Sequence, residues 1–335
     1  MVGWFAQIIQ HPDENVGTSL VLRGKQGTGK TKVGEVIGSL LGVHYQPIAD
    51  PRYITGRFNS HLVCCLLLHA DEAFWAGDHA AEGKLKELVT GKWQQIEFKG
   101  KEPVLIRNYA RLLVCGNPDW LVPAAFGERR FAILDLADAH KEDKAYFAAI
   151  DYEMDHGGRE ALLHYLLNFD LTTVDLRTIP KTAALLDQKV ASMTPEQGWW
   201  MDTLMRGELP WGCDEHNRCP TARLFDRYIS RAMRQGARRR SIEVQIGEFL
   251  KKHVPGLQKV KGTYKVWRGH AVVDQRSGLC VNPVVDERSS VYVFPALAKC
   301  REAFEQEMEQ AIAWGDDSKA DWTQEPMLDR PDAGD

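Results

Sequence analysis

Long hydrophobic runs are missing from this chain. The longest uninterrupted apolar stretch is "LVCCLLL", residues 62–68, far short of the roughly 20 residues a membrane-spanning helix needs. The N-terminus, "MVGWFAQIIQHPDE", has no basic segment followed by an apolar stretch and a small-residue cleavage site, so no secretory leader is read there. A paired cysteine framework is missing too. The 7 cysteines are an odd number, and Cys64 and Cys65 are adjacent inside an apolar run, which fits reduced thiols in a cytosol better than disulfides. Nor is there an excess of positive charge. Lys and Arg total 42 against 46 Asp and Glu, a formal net charge of -4, so the overall balance does not announce a nucleic-acid binder. No internal repeat is found.

What is present is an ordinary globular composition, 44% hydrophobic and 26% charged over 335 residues, which suits about two domains. Residues 1–12 read as a helix, with Trp4, Ile8 and Ile9 apolar. Thr18 to Arg23 reads as a short buried strand, followed by a glycine-rich loop and a helix from Lys30 to Leu41 that Gly42 stops. "HLVCCLLLHADEA" reads as a second buried strand and "AAEGKLKELVTG" as a helix. "KWQQIEFKGKEPVLIRN" reads as a hairpin, and "ARLLVCGN" and "RRFAILDL" as two further strands. This order predicts an α/β fold with a mainly parallel central sheet over 1–140. A helical segment over 141–210 is expected to attach to it. A smaller domain is expected over 211–313, then a disordered acidic tail over 314–335.

The loop carries chemistry. Gly24-Lys25-Gln26-Gly27-Thr28-Gly29-Lys30-Thr31 fits G-x-x-x-x-G-K-[ST] in full, between a strand and a helix as that motif requires. Gly24, Gly27, Thr28 and Gly29 let the backbone cradle phosphates at the positive end of the helix, Lys30 reaches the outer phosphates, and Thr31 holds Mg²⁺. ATP and Mg²⁺ are therefore the expected ligands. Asp71 and Glu72 end the most apolar run, where hydrolysis wants one carboxylate near the metal (Asp71) and another to orient water (Glu72). Asn117 follows the third strand, where an amide can bridge the water and the γ-phosphate. Arg129 and Arg130 precede the fourth strand; an arginine from a neighbouring subunit would stabilise transition-state charge there. Which of the two does so stays open. Lys99 and Lys101 flank Gly100 at the hairpin tip, a place for a polyanion to meet them, although edge lysines also discourage sheet aggregation.

In this order, with "WFAQIIQHP", "TGRFNSHL", "LKELVTG", "FKGKEP", "NPDWLVP" and "ERRF", the chain resembles the superfamily 3 helicases. More narrowly it resembles the helicase domain of NrS-type phage primase–polymerases. The match is specific over 1–210 and looser beyond. The resemblance implies a P-loop, AAA+-like ATPase acting as a DNA helicase in phage or mobile-element replication, in the cytosol of a bacterial host. It implies a ring, a hexamer, with sites at subunit interfaces and hairpins tracking single-stranded DNA from 3′ to 5′. Lys30, Thr31, Asp71, Glu72 and Asn117 would serve one subunit, and Arg129 or Arg130 would come from its neighbour. Because Met1 directly precedes these motifs, a primase or polymerase is expected as a separate partner, and helices that help the ring close are expected to be missing. A P-loop kinase, or an ATP- and DNA-binding remnant that forms no ring, are the alternatives. A kinase would have no use for "FKGK" or "ERRF" in these places.

The C-terminal part conceals a basic segment. Between Arg218 and Arg268 there are fourteen Lys and Arg against only Asp226, Glu243 and Glu248. Two helices followed by a strand pair, with "KVKGTYKVWRG" as a wing, suit a winged-helix-like module. Its second helix, Ile242 to Lys252, would lie against duplex DNA; a solvated basic face is the alternative. In "CDEHNRC", Cys213, His216 and Cys219 have the pitch for three zinc ligands, one fewer than a structural site uses.

Overall fold

The computed structural model describes all residues except 51, 72–78, 118–120, 211–216, 235–240, 268–271, 274–279, 282–283, 316–320 and 325–335. Two compact units make up the chain, Met1–Ser192 and Met193–Asp335.

The first unit opens with α1 (Val2–Gln10), which buries Trp4, Phe5 and Ile8. Next come β1 (Ser19–Arg23), α2 (Lys30–Leu41), β2 (Tyr45–Ile48), the single turn α3 (Arg52–Thr55), β3 (Leu67–Asp71) and α4 (His79–Thr90). They are followed by β4 (Trp93–Ile96), β5 (Val104–Arg107), β6 (Arg111–Gly116) and β7 (Phe131–Asp135). Then come α5 (Lys144–Glu153), α6 (Arg159–Leu167) and α7 (Ala183–Ala191). Five strands form one sheet, every pair parallel, in the order β2-β3-β6-β1-β7, while β4 and β5 make a separate antiparallel hairpin.

The parallel arrangement follows from the strand sequences. Helices on both faces bury both sets of side chains, so near-continuous apolar runs are what such strands need. With the two-residue period, Leu20, Leu22, Leu67, Leu113 and Cys115 join α1 and α2 in one core. Val21, Leu68, Ala70, Leu112 and Val114 join α4 and α7 in the other. On the first face α2 lies very close to the sheet. A Cβ built on Gly34 would stand 2.3 Å from Cε1 of His69 on β3, closer than real atoms approach.

Two elements differ from the sequence reading. The apolar run does not form one strand from His61: Ser60–Leu62 is a 3-10 turn, Val63 and Cys64 are exposed, and the strand starts at Leu67. Hydropathy alone could not separate the buried turn at Leu62 from the strand after it. β2 was not anticipated; it is an edge strand, the one place where Pro47 can sit without removing a needed donor.

The second unit holds α8 (Pro195–Arg206), β8 (Glu208–Leu209), β9 (Arg218–Pro220), α9 (Thr221–Arg234), α10 (Glu243–His253) and β10 (Gln258–Trp267). The short pair β11 (Val272–Val273) and β12 (Cys280–Val281), then β13 (Val284–Val293), α11 (Leu297–Met308) and β14 (Thr323–Gln324), complete it. β10, β13 and β9 form an antiparallel sheet with β13 central. The boundary expected between 210 and 211 lies inside this unit, because β8 pairs with β14 and β9 with β13. Part of the expected disordered tail is likewise ordered. Trp322 packs on Trp200 and Phe294 and donates its Nε1–H to the Pro295 carbonyl at 2.8 Å, which holds β14 against β8. Among the described residues no helix is long and apolar enough to cross a membrane.

Gly34→Ala places a methyl group in the His69 ring, an overpacking expected to cost about 1–3 kcal/mol. Urea unfolding would read this as a lower midpoint with the slope unchanged.

Candidate functional site

A parallel sheet sends every strand's carboxyl end to the same edge, and ligands of such sheets collect there. β6 lies between β1 and β3, so the glycine loop after β1, Asp71 at the end of β3 and Asn117 just past β6 share that edge. They line one cavity of about 640 Å³ together with Gly27, Gly29, Lys30 and Thr31. Glu72 lies outside the described residues.

Local backbone geometry shapes the loop. Gly27 and Gly29 have φ of 81° and 89°, left-handed values that let successive N–H groups turn toward an anion. The Thr28 hydroxyl donates to the Lys25 carbonyl at 2.9 Å, and the Gly24 N–H donates to the Gly116 carbonyl at 3.2 Å. Lys30 is buried, and its ammonium donates to the carbonyls of Gly24 and Lys25, both at 2.6 Å. The Thr31 hydroxyl donates to the Asp71 carboxylate at 2.9 Å. A hydroxyl and a carboxylate meeting at a helix N-terminus are an all-oxygen pair suited to a hard cation such as Mg²⁺. Behind them stand His69 and Cys115, both buried. Burial holds the His69 imidazole below its usual range against the pull of Asp71 and Glu35. Burial, with Asp71 adding to it, pushes the Cys115 thiol up to about 12.

A segment that sequence reasoning left without a role braces this loop. The Glu142 N–H donates to the Gly27 carbonyl at 3.0 Å, Lys25 pairs with Asp138 at 2.5 Å, and Lys32 pairs with Asp151 at 2.9 Å. The Phe147 ring lies where a side chain on Gly29 would be, its Cε1 2.6 Å from an ideal Cβ. Only α5 and the turn before it, more than 100 residues along the chain from the loop, supply these groups. No spacing motif could have signalled them.

Arg129 and Arg130 are not equivalent. One Glu128 carboxylate oxygen accepts the backbone N–H of Arg129 at 2.9 Å and of Arg130 at 2.7 Å, and Glu128 is buried. The Arg130 guanidinium lies 3.5 Å from the same oxygen and is mostly buried, whereas Arg129 is exposed. Glu128 belongs to the quoted "ERRF" yet received no role, because a backbone-directed carboxylate has no sequence signature.

At the hairpin, Lys99 and Lys101 are exposed on the tip between β4 and β5, and the Lys101 ammonium stands 5.8 Å over the Phe98 ring. Phe98 in turn packs on the core. In the second unit part of the basic segment serves the fold itself. Arg231 of α9 pairs with Asp202 of α8, and burial lowers the affinity of Arg227 for its proton. Lys251 and Lys252 on α10 are exposed. Cys219 is buried in β9, while Cys213 and His216 lie outside the described residues.

Comparison with known proteins places this geometry. Residues 22–130 match a family described as "Family of unknown function (DUF5906)". The chain is related to the DNA primase-polymerase of Nitratiruptor phage NrS-1, at 22% identity over 222 residues, 62% of this chain. It spans 30% of that protein's length. Apo structures of the C terminal region of NrS-1 superpose with TM-scores of 0.59 and 0.58, at 15% and 16% identity. They cover 88% of this chain and 70% and 71% of theirs. At that identity the likeness is one of fold.

Glu128→Ala leaves two backbone N–H groups without their acceptor. Stability is expected to fall by about 1–3 kcal/mol, read from thermal unfolding, and Glu128→Gln, which keeps an acceptor oxygen, should restore most of it.

Proposed function

We propose that the first unit is an ATPase of the superfamily 3 helicase type, working as a ring on single-stranded DNA during phage replication. The observation that carries this reading is the contact between Thr31 and Asp71. It joins a complete phosphate loop to the acidic end of a strand that is not its sheet neighbour, with β6 and Asn117 between them. The relationship to a phage primase-polymerase supports the replication setting.

On this reading the loop N–H groups and Lys30 hold the β- and γ-phosphates, Thr31 and Asp71 hold Mg²⁺, and Glu72 orients the attacking water. Bound Mg²⁺ would supply Lewis-acid neutralisation of phosphate charge. Asn117 lies at the same edge, where its amide can hold water against the γ-phosphate. Glu128 fixes the backbone of both arginines but engages only the Arg130 side chain, so Arg129 is the one free to reach a neighbouring subunit. The exposed Lys99 and Lys101 would contact the DNA backbone, braced by Phe98. The second unit's order α8-β9-α9-α10-β10-β13, with β13 between β9 and β10, supports a winged-helix module whose α10 faces duplex DNA.

ATP hydrolysis and particle size, each measured with and without single-stranded DNA, test the reading. Lys30→Ala is expected to lower hydrolysis by at least about 100-fold, the scale of losing one preorganised transition-state contact. Arg129→Ala should do the same while still binding ATP, and mixing it with Lys30→Ala should regain activity at the interfaces that pair two intact halves. Turnover by permanent monomers, or full activity in Arg129→Ala, defeats the shared-site reading. For the hairpin, removing two phosphate contacts should flatten the log–log salt dependence of single-strand binding by about 1.4 in slope. An unchanged slope in Lys99→Ala/Lys101→Ala excludes the tip from the DNA path.

A further inference from the structure

Behind the nucleotide edge, the strand register gathers three side chains of another chemistry. His69 and Asp71 are two residues apart on β3 and so point to the same face. Asp71 is paired in register with Cys115 of β6, which brings the thiol beside them. One ligand atom from each of the three lies within 4.8 Å of the other two, and among the described residues no other His, Cys, Asp and Glu group is so arranged. His69 is 1% exposed, its Nε2 has no hydrogen-bond partner among the described residues, and its Nδ1 shares a 2.7 Å hydrogen bond with the Tyr45 hydroxyl. When the phenolic oxygen accepts the Nδ1 proton, Nε2 presents a lone pair, the arrangement by which an outer partner readies a histidine for a metal. Gly34 admits the ring to that position.

We propose that His69 Nε2, the Asp71 carboxylate and Cys115 Sγ form a binding site for a thiophilic divalent cation of the Zn²⁺ class. Imidazole with thiolate selects borderline-soft cations, whereas Mg²⁺ is held by oxygens, so this site differs from the one at Thr31 although both draw on Asp71. Metal–ligand bonds of about 2.0–2.3 Å at a tetrahedral angle separate ligands by roughly 3.3–3.8 Å, so closure needs movements of about an ångström. On binding, the Cys115 thiol releases its proton to water and sulfur takes up the metal in its place. Of the three side chains Asp71 alone also lines the cavity that Thr31 lines, so the ion would exchange past its carboxylate. This inference goes beyond the ATPase reading and needs only these three side chains.

Co²⁺ titration of the full chain, free of nucleotide and other metals, tests it through the near-ultraviolet thiolate-to-cobalt charge-transfer band. The expected result is one Co²⁺ per chain, a band abolished in Cys115→Ser, and a band retained in Cys64→Ser and Cys213→Ser. Affinity should fall at least tenfold in His69→Gln. No band in the unaltered protein, or a band indifferent to Cys115→Ser, overturns the site. Should Cys115→Ser lose its native circular dichroism, His69→Gln decides: unchanged affinity there also overturns it. Loss of the ATPase reading would leave each of these outcomes intact, because none of them measures turnover.

Discussion

The close seat of α2 on the sheet is the constraint from which the site follows. With no side chain on Gly34, the helix descends onto the His69 ring, and its first turn is thereby fixed against the carboxyl ends of β1, β3 and β6. Thr31 can then reach Asp71, although its helix follows β1 and Asp71 ends β3, two strands that are not neighbours in the sheet. The same descent packs against His69, whose place beside Cys115 the β3–β6 register sets, so helix packing and strand pairing together underlie an oxygen-rich and a sulfur-bearing corner of the edge.

Charge is used differently in the two units. In the first, cations and anions alternate around the loop: Lys25 with Asp138, Lys32 with Asp151, and Arg23 with both Asp135 and Asp187. The Arg23 guanidinium is held above its ordinary range by those two carboxylates, Asp135 foremost. In the second, Arg301 is drawn inward, donating twice to the Leu204 carbonyl at 3.1 and 3.0 Å and stacking 5.2 Å from the Trp314 ring. Within the basic segment Arg231 pairs with Asp202 and Arg227 is partly buried, so a run of arginines in sequence is not a run of arginines on a surface. Some of them are the polar pins of a small core.

The strands of the first unit were legible because burial on both faces leaves an unbroken apolar imprint, and the phosphate loop was legible because its chemistry is local. The hairpin showed in its alternation and its glycine. What the sequence hid was long-range or geometrically mixed. Leu62 is buried but sits in a turn, so it passed for strand; β2 is half-exposed and carries Pro47, so it passed for loop. Phe147 and Glu142 act on glycines far from themselves, and Glu128 acts on the backbone of the next two residues, contacts that leave no periodic mark. Trp322 looked like part of an acidic tail because a single anchoring ring among acids is invisible to composition.

The Lys30 ammonium, finally, is clasped by two carbonyl oxygens of its own loop. Hydrogen bonds to a charged group are each worth about 1.5–3 kcal/mol, so an incoming anion must outbid both before it can recruit that cation. A lone sulfate or inorganic phosphate offers one small cluster of charge for the exchange; a polyphosphate chain offers several along its length. On the proposed ATPase reading, that clasp would favour extended anions over simple ones.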